Sequence, residues 1–440
     1  MSKTFRPWDV DQVWLLPPSV QDLVPAGHVA HFVRDTVCTG LDLTAIMARY
    51  GEDRGQPPYH PGMMVALLLY GYCQGVYSSR RIAKGCEERL DFAAVTGLQR
   101  PDFRTIADFR KQHLAALSGL FVQVLGLCRA AGLVKLGHVA LDGTKIKANA
   151  SKHKAMSYGR MAQAEAKLAA EVAQWLKQAA ATDAAEDRAH GAAQRGDEMP
   201  TWVANKEQRL AKIRAAKAAL EAEARAAATA KAKSDSPPDD GAGGPGTSTA
   251  VPADKAQRNF TDPESRIMKT KDGFIQGFNA QAAVDAHGQV IVACGLTNAG
   301  SDQAQLVAMV DAVAAATGCY PSEVSADAGY CSEDNLADLA TRPLKAYVAT
   351  GRQKHGSAAP VGKRTVKHGS LVAAMTTKLK RAGHRSRYRL RKQVVEPVFG
   401  QIKQARGFRQ FLLRGLNHVT HEWTLVCIAH NLNKLARAAR

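Results

Sequence analysis

The sequence predicts an α/β protein: a mixed sheet with helices packed on it, a helical region in front and a helical insertion inside. Three observations carry this. Two short apolar runs, each ending in an acid, lie at His138–Asp142 and Glu323–Asp327. Two longer apolar runs, 274–284 and 289–297, flank Asp285-Ala286-His287-Gly288, a hairpin turn signal. Strand and helix signals then alternate to residue 350, the pattern that lays helices on a sheet. With 440 residues, 45% of them hydrophobic, the chain has material for two or three domains with real cores. Collagen-like, wholly disordered and disulfide-scaffold classes are excluded by the same composition.

Residues 1–135 read as mostly helical. Pro61 opens an apolar helix from Met63 to Cys73, and Ser78 and Ser79 suit the start of a basic helix, Arg80–Arg89. Pro101, Asp102 and Thr105 start a third, with Phe109, Leu114, Leu117, Leu120, Phe121 and Val124 at helical spacing. Basic residues on the second and third helices fit a helix-turn-helix module, and they fit a packing or dimerisation bundle as well. From 155 to 232 the chain is rich in Ala, Glu, Lys and Arg. Met161, Leu168, Val172 and Trp175 share one helical face, and so do Leu210, Ile213 and Leu220. This predicts a helical hairpin or coiled-coil arm. Residues 233–256, dense in Pro, Gly, Ser and Asp, predict a flexible linker. Beyond the hairpin, Ser301 or Asp302 caps a helix to about Ala316, Ser332 starts another, and Lys345–Thr350 is a last strand. A basic loop, 351–385, leads to a helical end containing Glu396. The expected layout is a helical domain at 1–135, a catalytic domain from 136–154 and 257–440, an insertion at 155–232 and the linker at 233–256.

The net charge of +19 is not spread evenly. Residues 351–440 hold 20 lysines and arginines against Glu396 and Glu422 alone, which leaves the rest of the chain near neutral. A concentrated basic surface points to a polyanionic partner, nucleic acid first. The eight cysteines form no CxxC pair and read as buried small hydrophobes in a reducing compartment. The apolar stretch from Met63 to Tyr77 is too short and broken to span a bilayer, and the N-terminus has no signal-peptide core. A cytoplasmic protein with no membrane partner is expected. No GxxxxGK[ST] loop occurs, so ATP is not expected.

Three acids stand out by context. Asp142 ends the apolar run in VALDGTK, Asp327 ends that in VSADAGY, and Glu396 is isolated among basic residues in RKQVVEPVFGQIK. Acids just past core strands lie at the sheet edge where α/β folds place their sites. Two or three carboxylates can hold magnesium while leaving room for phosphate, and two ions flanking one phosphorus make a phosphodiester-cutting centre. Read singly, Asp142 and Asp327 also suit turns and Glu396 a helix surface. Positions 389, 392, 396, 399 and 403 have helical spacing, so Glu396 shares a face with Arg389, Lys392 and Lys403. Pro397 predicts a kink or a new helix start at that acid. Lys145, Lys147, Arg406, Arg409 and Arg414 are further candidates for gripping phosphates. His418, His421 and Glu422 are a weaker metal candidate, set against a polar helix face. Asp302 reads as an N-cap, with a supporting role behind the acids as the alternative. Asp262 and Glu264 read as solvated.

The segments HVALDGTKIKANAS, GFNAQAAVDAHGQVIV, SADAGY and VVEPVFGQIKQARGFRQFLLRGL, with PDFRTIADFRKQH near the N-terminus, resemble bacterial insertion-sequence DDE transposases of the Tyr-Arg-Glu-Lys signature group. The resemblance implies a ribonuclease-H-like catalytic domain, with Asp142, Asp327 and Glu396 as the catalytic, metal-binding triad and Lys403 as the signature lysine. Counting back from Glu396, the signature arginine falls on Lys392 and the tyrosine on Arg389, while Arg391 and Tyr388 stand one residue away. The family works with Mg²⁺ or Mn²⁺, two ions in this reading, on double-stranded DNA ends and target. It cuts the element end, and the freed 3′ hydroxyl attacks target DNA. A homodimer or larger assembly acting at the nucleoid is implied. A structure-specific nuclease that cuts without joining, or a DNA-binding derivative without catalysis, would share many of these residues.

Overall fold

The computed structural model describes residues 19–51, 57–190, 201–234, 251–270, 273–351, 369–382, 388 and 391–439. The N-terminal part consists of α1 (Val29–Asp35), α2 (Thr44–Met47), α3 (Pro61–Cys73), α4 (Ser79–Glu88), α5 (Leu90–Thr96) and α6 (Phe103–Ala130). Pro61 occupies the first turn of α3, where a missing N–H leaves nothing unpaired. Asp102 caps α6 by accepting from the backbone N–H groups of Arg104 and Thr105. α1 and α5 have no counterpart among the sequence signals: at seven residues each they are too short for periodicity to register.

There follow β1 (Val139–Lys147), β2 (Ala155–Ser157), α7 (Tyr158–His190), α8 (Thr201–Ser234), β3 (Gln257–Asn259), β4 (Arg266–Thr270), β5 (Gly273–Asp285), β6 (Ile291–Thr297) and α9 (Leu306–Thr317). The chain ends with β7 (Glu323–Ala326), α10 (Glu333–Ala340), β8 (Lys345–Val348), α11 (Leu371–Ala382), α12 (Arg391–Gly400) and α13 (Leu416–Ala438). β5 pairs antiparallel with β1 along one edge, and with β4 and then β6 along the other. β1, β7 and β8 run parallel. The sheet is therefore mixed, in the order β6–β5–β1–β7–β8, with β4 on the same edge of β5 as β6. Between β1 and β7 the register sets Val139 against Val324 and Ala140 against Ser325. Continued two residues on, it brings Asp142 level with Asp327.

α13 ties the helices to the sheet. It packs on α3 and α6 on one side and on β6 on the other. The thiols of Cys73 and Cys128 reach its carbonyls at Ala429 and Asn431. Asn431 also exchanges two hydrogen bonds, 2.9 and 2.8 Å, with the backbone of Ile291. One continuous core runs from Val33 and Leu67 through Leu117 and Ile428 to Val284 and Val324. The change of character near residue 136 thus marks a change of secondary structure, not a break in packing. α6 is long and apolar enough to cross a membrane, yet its apolar side lies on α13.

α7 and α8 make an antiparallel hairpin. Glu165 pairs with Arg214 and Lys217, Glu171 with Lys206, and Tyr158 donates to Glu221. The hairpin has its own small core of Met161, Ile213, Ala216 and Leu220, apart from the main one. Of the expected linker, residues 235–250 lie outside the described residues, as do 352–368 of the expected basic loop. That loop is not irregular throughout: α11 forms in it, with Met375 buried and the Glu333 carboxylate accepting from the N–H groups of Leu371 and Val372. The expectation of eight buried cysteines is corrected at Cys38 and Cys319, which are exposed; all eight are free thiols.

Candidate active site

β1 does not stop at Asp142 as its apolar run suggests. It continues to Lys147, because β5 offers it a partner along its whole length. Asp142 is uncovered from the other side, where β7 ends at Ala326. Asp327 follows at once, its Oδ1 accepting from Gly329 N–H at 2.8 Å in a tight turn. The two acids therefore sit on neighbouring parallel strands at the same level, a strand spacing of about 4.8 Å apart.

Asp302 joins them. Its expected capping role is corrected: the carboxylate makes no cap bond to the turn that follows it. Instead Oδ1 accepts from the side-chain amides of Asn279 and Gln281, both at 2.7 Å. These two residues point to the same face of β5 two positions apart and are fully buried. Tyr330, also buried, donates to Gln281 Oε1, and Trp423 Nε1 donates to Gln281 O at 3.0 Å. A buried polar network thus stands behind the acids. Gly143 is part of the same construction: a Cβ there would stand 2.5 Å from Asp302 Oδ1 and closer still to the Gln281 amide.

Like charges in this partly desolvated place disfavour ionisation. Burial pushes Asp142 up to about 6; Arg391 works against this, while Asp327 and Asp302 reinforce it. Burial likewise raises Asp327, with Gly329 N–H and Arg391 opposing. Arg391 Nη1 lies 3.1 Å from Asp142 Oδ2. Tyr388 lies beside Arg391, burial raising its phenol.

The signature positions resolve accordingly. Arg391 and Tyr388, one residue off the expected count, are the pair at the acids. Lys392 is exposed, and Arg389 lies outside the described residues. Lys403 donates from Nζ to Thr144 Oγ1 at 2.6 Å and to Lys145 O at 3.0 Å, so it clasps β1 directly beyond Asp142. Glu396 is exposed and makes no hydrogen bond or ion pair among the described residues. Pro397 does not start a helix: α12 carries it inside. The carbonyl it deprives of a partner, Gln393 O, accepts instead from Gln289 Nε2 at 3.0 Å.

A basic strip borders the acids. Backbone bonds from Lys147 N to Arg409 O and from Phe411 N to Lys147 O lay the loop after α12 along the end of β1. This gathers Lys145, Lys147, Arg409 and Arg414, of which Lys147, Arg409 and Arg414 are exposed. Arg406 is a correction: burial lowers its pKa, its Nη2 bonds to His430 Nδ1 at 3.0 Å, and it belongs to the interior. The His418–His421–Glu422 candidate is corrected too. Glu422 is fully buried and accepts from Leu412 and Leu413 N–H, while His421 bonds to Ser118. Of the two acids expected to be solvated, Asp262 is buried and accepts from Gly415 N–H, while Glu264 is exposed and also accepts from Leu416 N–H at the start of α13.

Among the described residues, no group of three or more Asp, Glu, His or Cys side chains is already drawn together closely enough to hold a metal ion. The donor set nevertheless suits Mg²⁺ or Mn²⁺: hard carboxylate oxygens, few in number, open to solvent. Magnesium keeps several waters and takes one or two protein carboxylates plus substrate phosphate.

Residues 247–432 match the family described as transposase DDE domain, and residues 18–112 match the transposase domain DUF772. No curated protein and no solved structure matches the chain. The chain belongs to the insertion-sequence DDE transposases, enzymes that cut DNA and transfer the cut strand with the help of divalent metal. The DDE match includes Asp327 and Glu396 and begins after Asp142, which reaches the site through the β1–β7 register.

Proposed function

We propose that Asp142, Asp327 and Glu396 are the reaction centre of this transposase, on a ribonuclease-H-like domain, with two Mg²⁺ or Mn²⁺ ions. The observation that carries this reading is the placement of Asp142 and Asp327 level with each other on adjacent parallel strands, half-buried, with Asp302 and the Arg391 guanidinium beside them. The strand order β6–β5–β1–β7–β8, three antiparallel strands followed by two parallel ones, supports the fold assignment. Glu396 completes the set from α12, the helix that Arg391 ties to Asp142.

When bound, the metal supplies charge for the phosphoryl oxygens and acidifies water. The remaining work falls to the chain. Asp142 and Asp327 fix the ligand oxygens on rigid strands, and Lys403 holds β1 in place beside them. Lys145, Lys147, Arg409 and Arg414 take the backbone phosphates that flank the scissile bond, and exposed Lys392 extends the strip. Water attacks the phosphorus at the element end, the P–O3′ bond breaks, and the 3′ oxygen leaves with a proton. That hydroxyl then attacks a target phosphodiester, forming one P–O3′ bond and releasing another. The enzyme acts on paired ends as a dimer or larger assembly.

The test pairs a gel shift with cleavage of a DNA end, with and without Mg²⁺. Asp142→Asn, Asp327→Asn and Glu396→Gln are each expected to bind DNA and fail to cut it. Normal cleavage by any of the three overturns its assignment.

A further inference from the structure

We propose that Asp302 is a fourth acid of the metal site, binding the divalent cation through Oδ2. The inference rests on the placement of the cation between Asp142 and Asp327. Asp302 lies on neither of their strands but in the turn before α9, and the fold spends several buried groups on bringing it there. Both of its Oδ1 bonds come from amides that are themselves fixed, Asn279 and Gln281 on β5, with Gln281 fixed in turn by Tyr330. Oδ2 has no hydrogen-bond partner among the described residues. It flanks the turn after Asp327: a Cβ on Gly329 would stand 3.0 Å from Asp327 Oδ1 and 3.4 Å from Asp302 Oδ2. On the other side, Gly143 admits Asp302 against β1 directly beside Asp142. Two glycines thus make room for one carboxylate between two others. A capping or fold-stabilising acid needs no such neighbours. One oxygen anchored by two N–H donors and one left bare beside two carboxylates is the arrangement of a metal ligand oriented by its own hydrogen bonds.

Asp302→Asn suits the test, because the new amide oxygen can keep both bonds at Oδ1 while an NH₂ group replaces the bare oxygen. Mn²⁺ binding to the full chain without DNA, read as free Mn²⁺ by electron paramagnetic resonance, is expected to weaken about 10- to 100-fold. Asp302→Glu, which keeps a carboxylate, should bind more tightly than Asp302→Asn. Parent-like Mn²⁺ affinity in a folded Asp302→Asn protein overturns the proposal. Asp142→Asn and Asp327→Asn separate the two readings: if they lose Mn²⁺ and Asp302→Asn does not, only the fourth ligand fails. If none of the three loses it, the metal site itself is misplaced. A readout on the parent avoids any folding defect. Fe²⁺ with ascorbate and peroxide should cut the backbone around residue 302 as well as around 142 and 327, and absence of the first cut contradicts the proposal.

Discussion

Glu422 and Asp142 are both carboxylates withdrawn from water, and the protein treats them in opposite ways. Glu422, within α13, is fully buried, and its two oxygens accept from Leu412 and Leu413 N–H at 3.0 to 3.1 Å, with Arg110 adding its charge from α6. Asp262 and Glu264 do the same work nearby at Gly415 and Leu416. Glu422 has both oxygens met by backbone donors, and the three acids together pin the loop between α12 and α13. Asp142, Asp302 and Asp327 stand against one another instead, with the Arg391 guanidinium beside them. Acids matched to N–H groups hold a fold together, whereas acids crowded beyond their donors are arranged for a cation.

The largest expected effects fall on catalysis. Asp142→Asn should lower end cleavage about 10³-fold or more, and the double change with Asp327→Asn should cost little beyond that, because ligands of one centre fail together. Additive losses in single-turnover assays would mean that the two acids act separately. Glu422→Gln should do the reverse. It leaves two buried N–H groups with a weaker acceptor and should lower stability by about 1–3 kcal/mol in urea unfolding, while cleavage per folded molecule stays close to parent. A stable, inactive Glu422→Gln protein would erase the contrast.

Acid should expose a second structural site. His430 is fully buried, donates from Nε2 to Gln289 O at 2.9 Å and accepts from Arg406 at Nδ1. Burial first, then Arg406, Lys434 and Arg437, push its pKa down to about 3. Its folded pKa lies below the unfolded value, so below about pH 6.5 the unfolded chain takes up a proton the folded chain refuses. Stability should fall by about 1.4 kcal/mol per pH unit from this group as pH drops toward 3. His430→Gln should flatten that slope in urea titrations at several pH values; an unchanged slope would mean that His430 has no part in it.

The smallest effects concern charge at the rim. Arg409→Gln with Arg414→Gln should reduce the salt slope of DNA affinity by roughly two units, about 0.9 for each phosphate no longer neutralised. Arg406→Gln should leave the slope alone and lower stability, since that guanidinium faces His430 rather than solvent. Equal slope changes for Arg406 and Arg409 would show that exposure does not sort them.

All of the sheet's strands but β4, and both carboxylates on it, were legible in sequence, because apolar runs, two of them closed by an acid, are a local signal. So were the starts of α3 and α6, written in Pro61 and Asp102. What escaped depends on pairing at a distance. Asp142 reads as a strand end because its run becomes polar there, yet β5 extends β1 to Lys147. The register of the signature helix could not be counted: Arg391, not Lys392, faces Asp142, which only the packing of α12 on β1 decides. Glu422, Asp262 and Glu264 look like ordinary polar residues until their N–H partners, nine or more residues away, are in place. Asn279 and Gln281 did leave a trace, two polar side chains two positions apart in the apolar half of β5.

The most direct test is one comparison: melting temperature and Mg²⁺-dependent end cleavage measured on the same Asp327→Asn preparation. Removing one of several crowded charges should leave the melting temperature at or above that of the parent, while cleavage is lost and DNA binding survives. A protein that melts lower and still cuts at the parent rate would make Asp327 a structural acid like Glu422, and the proposed centre would be wrong.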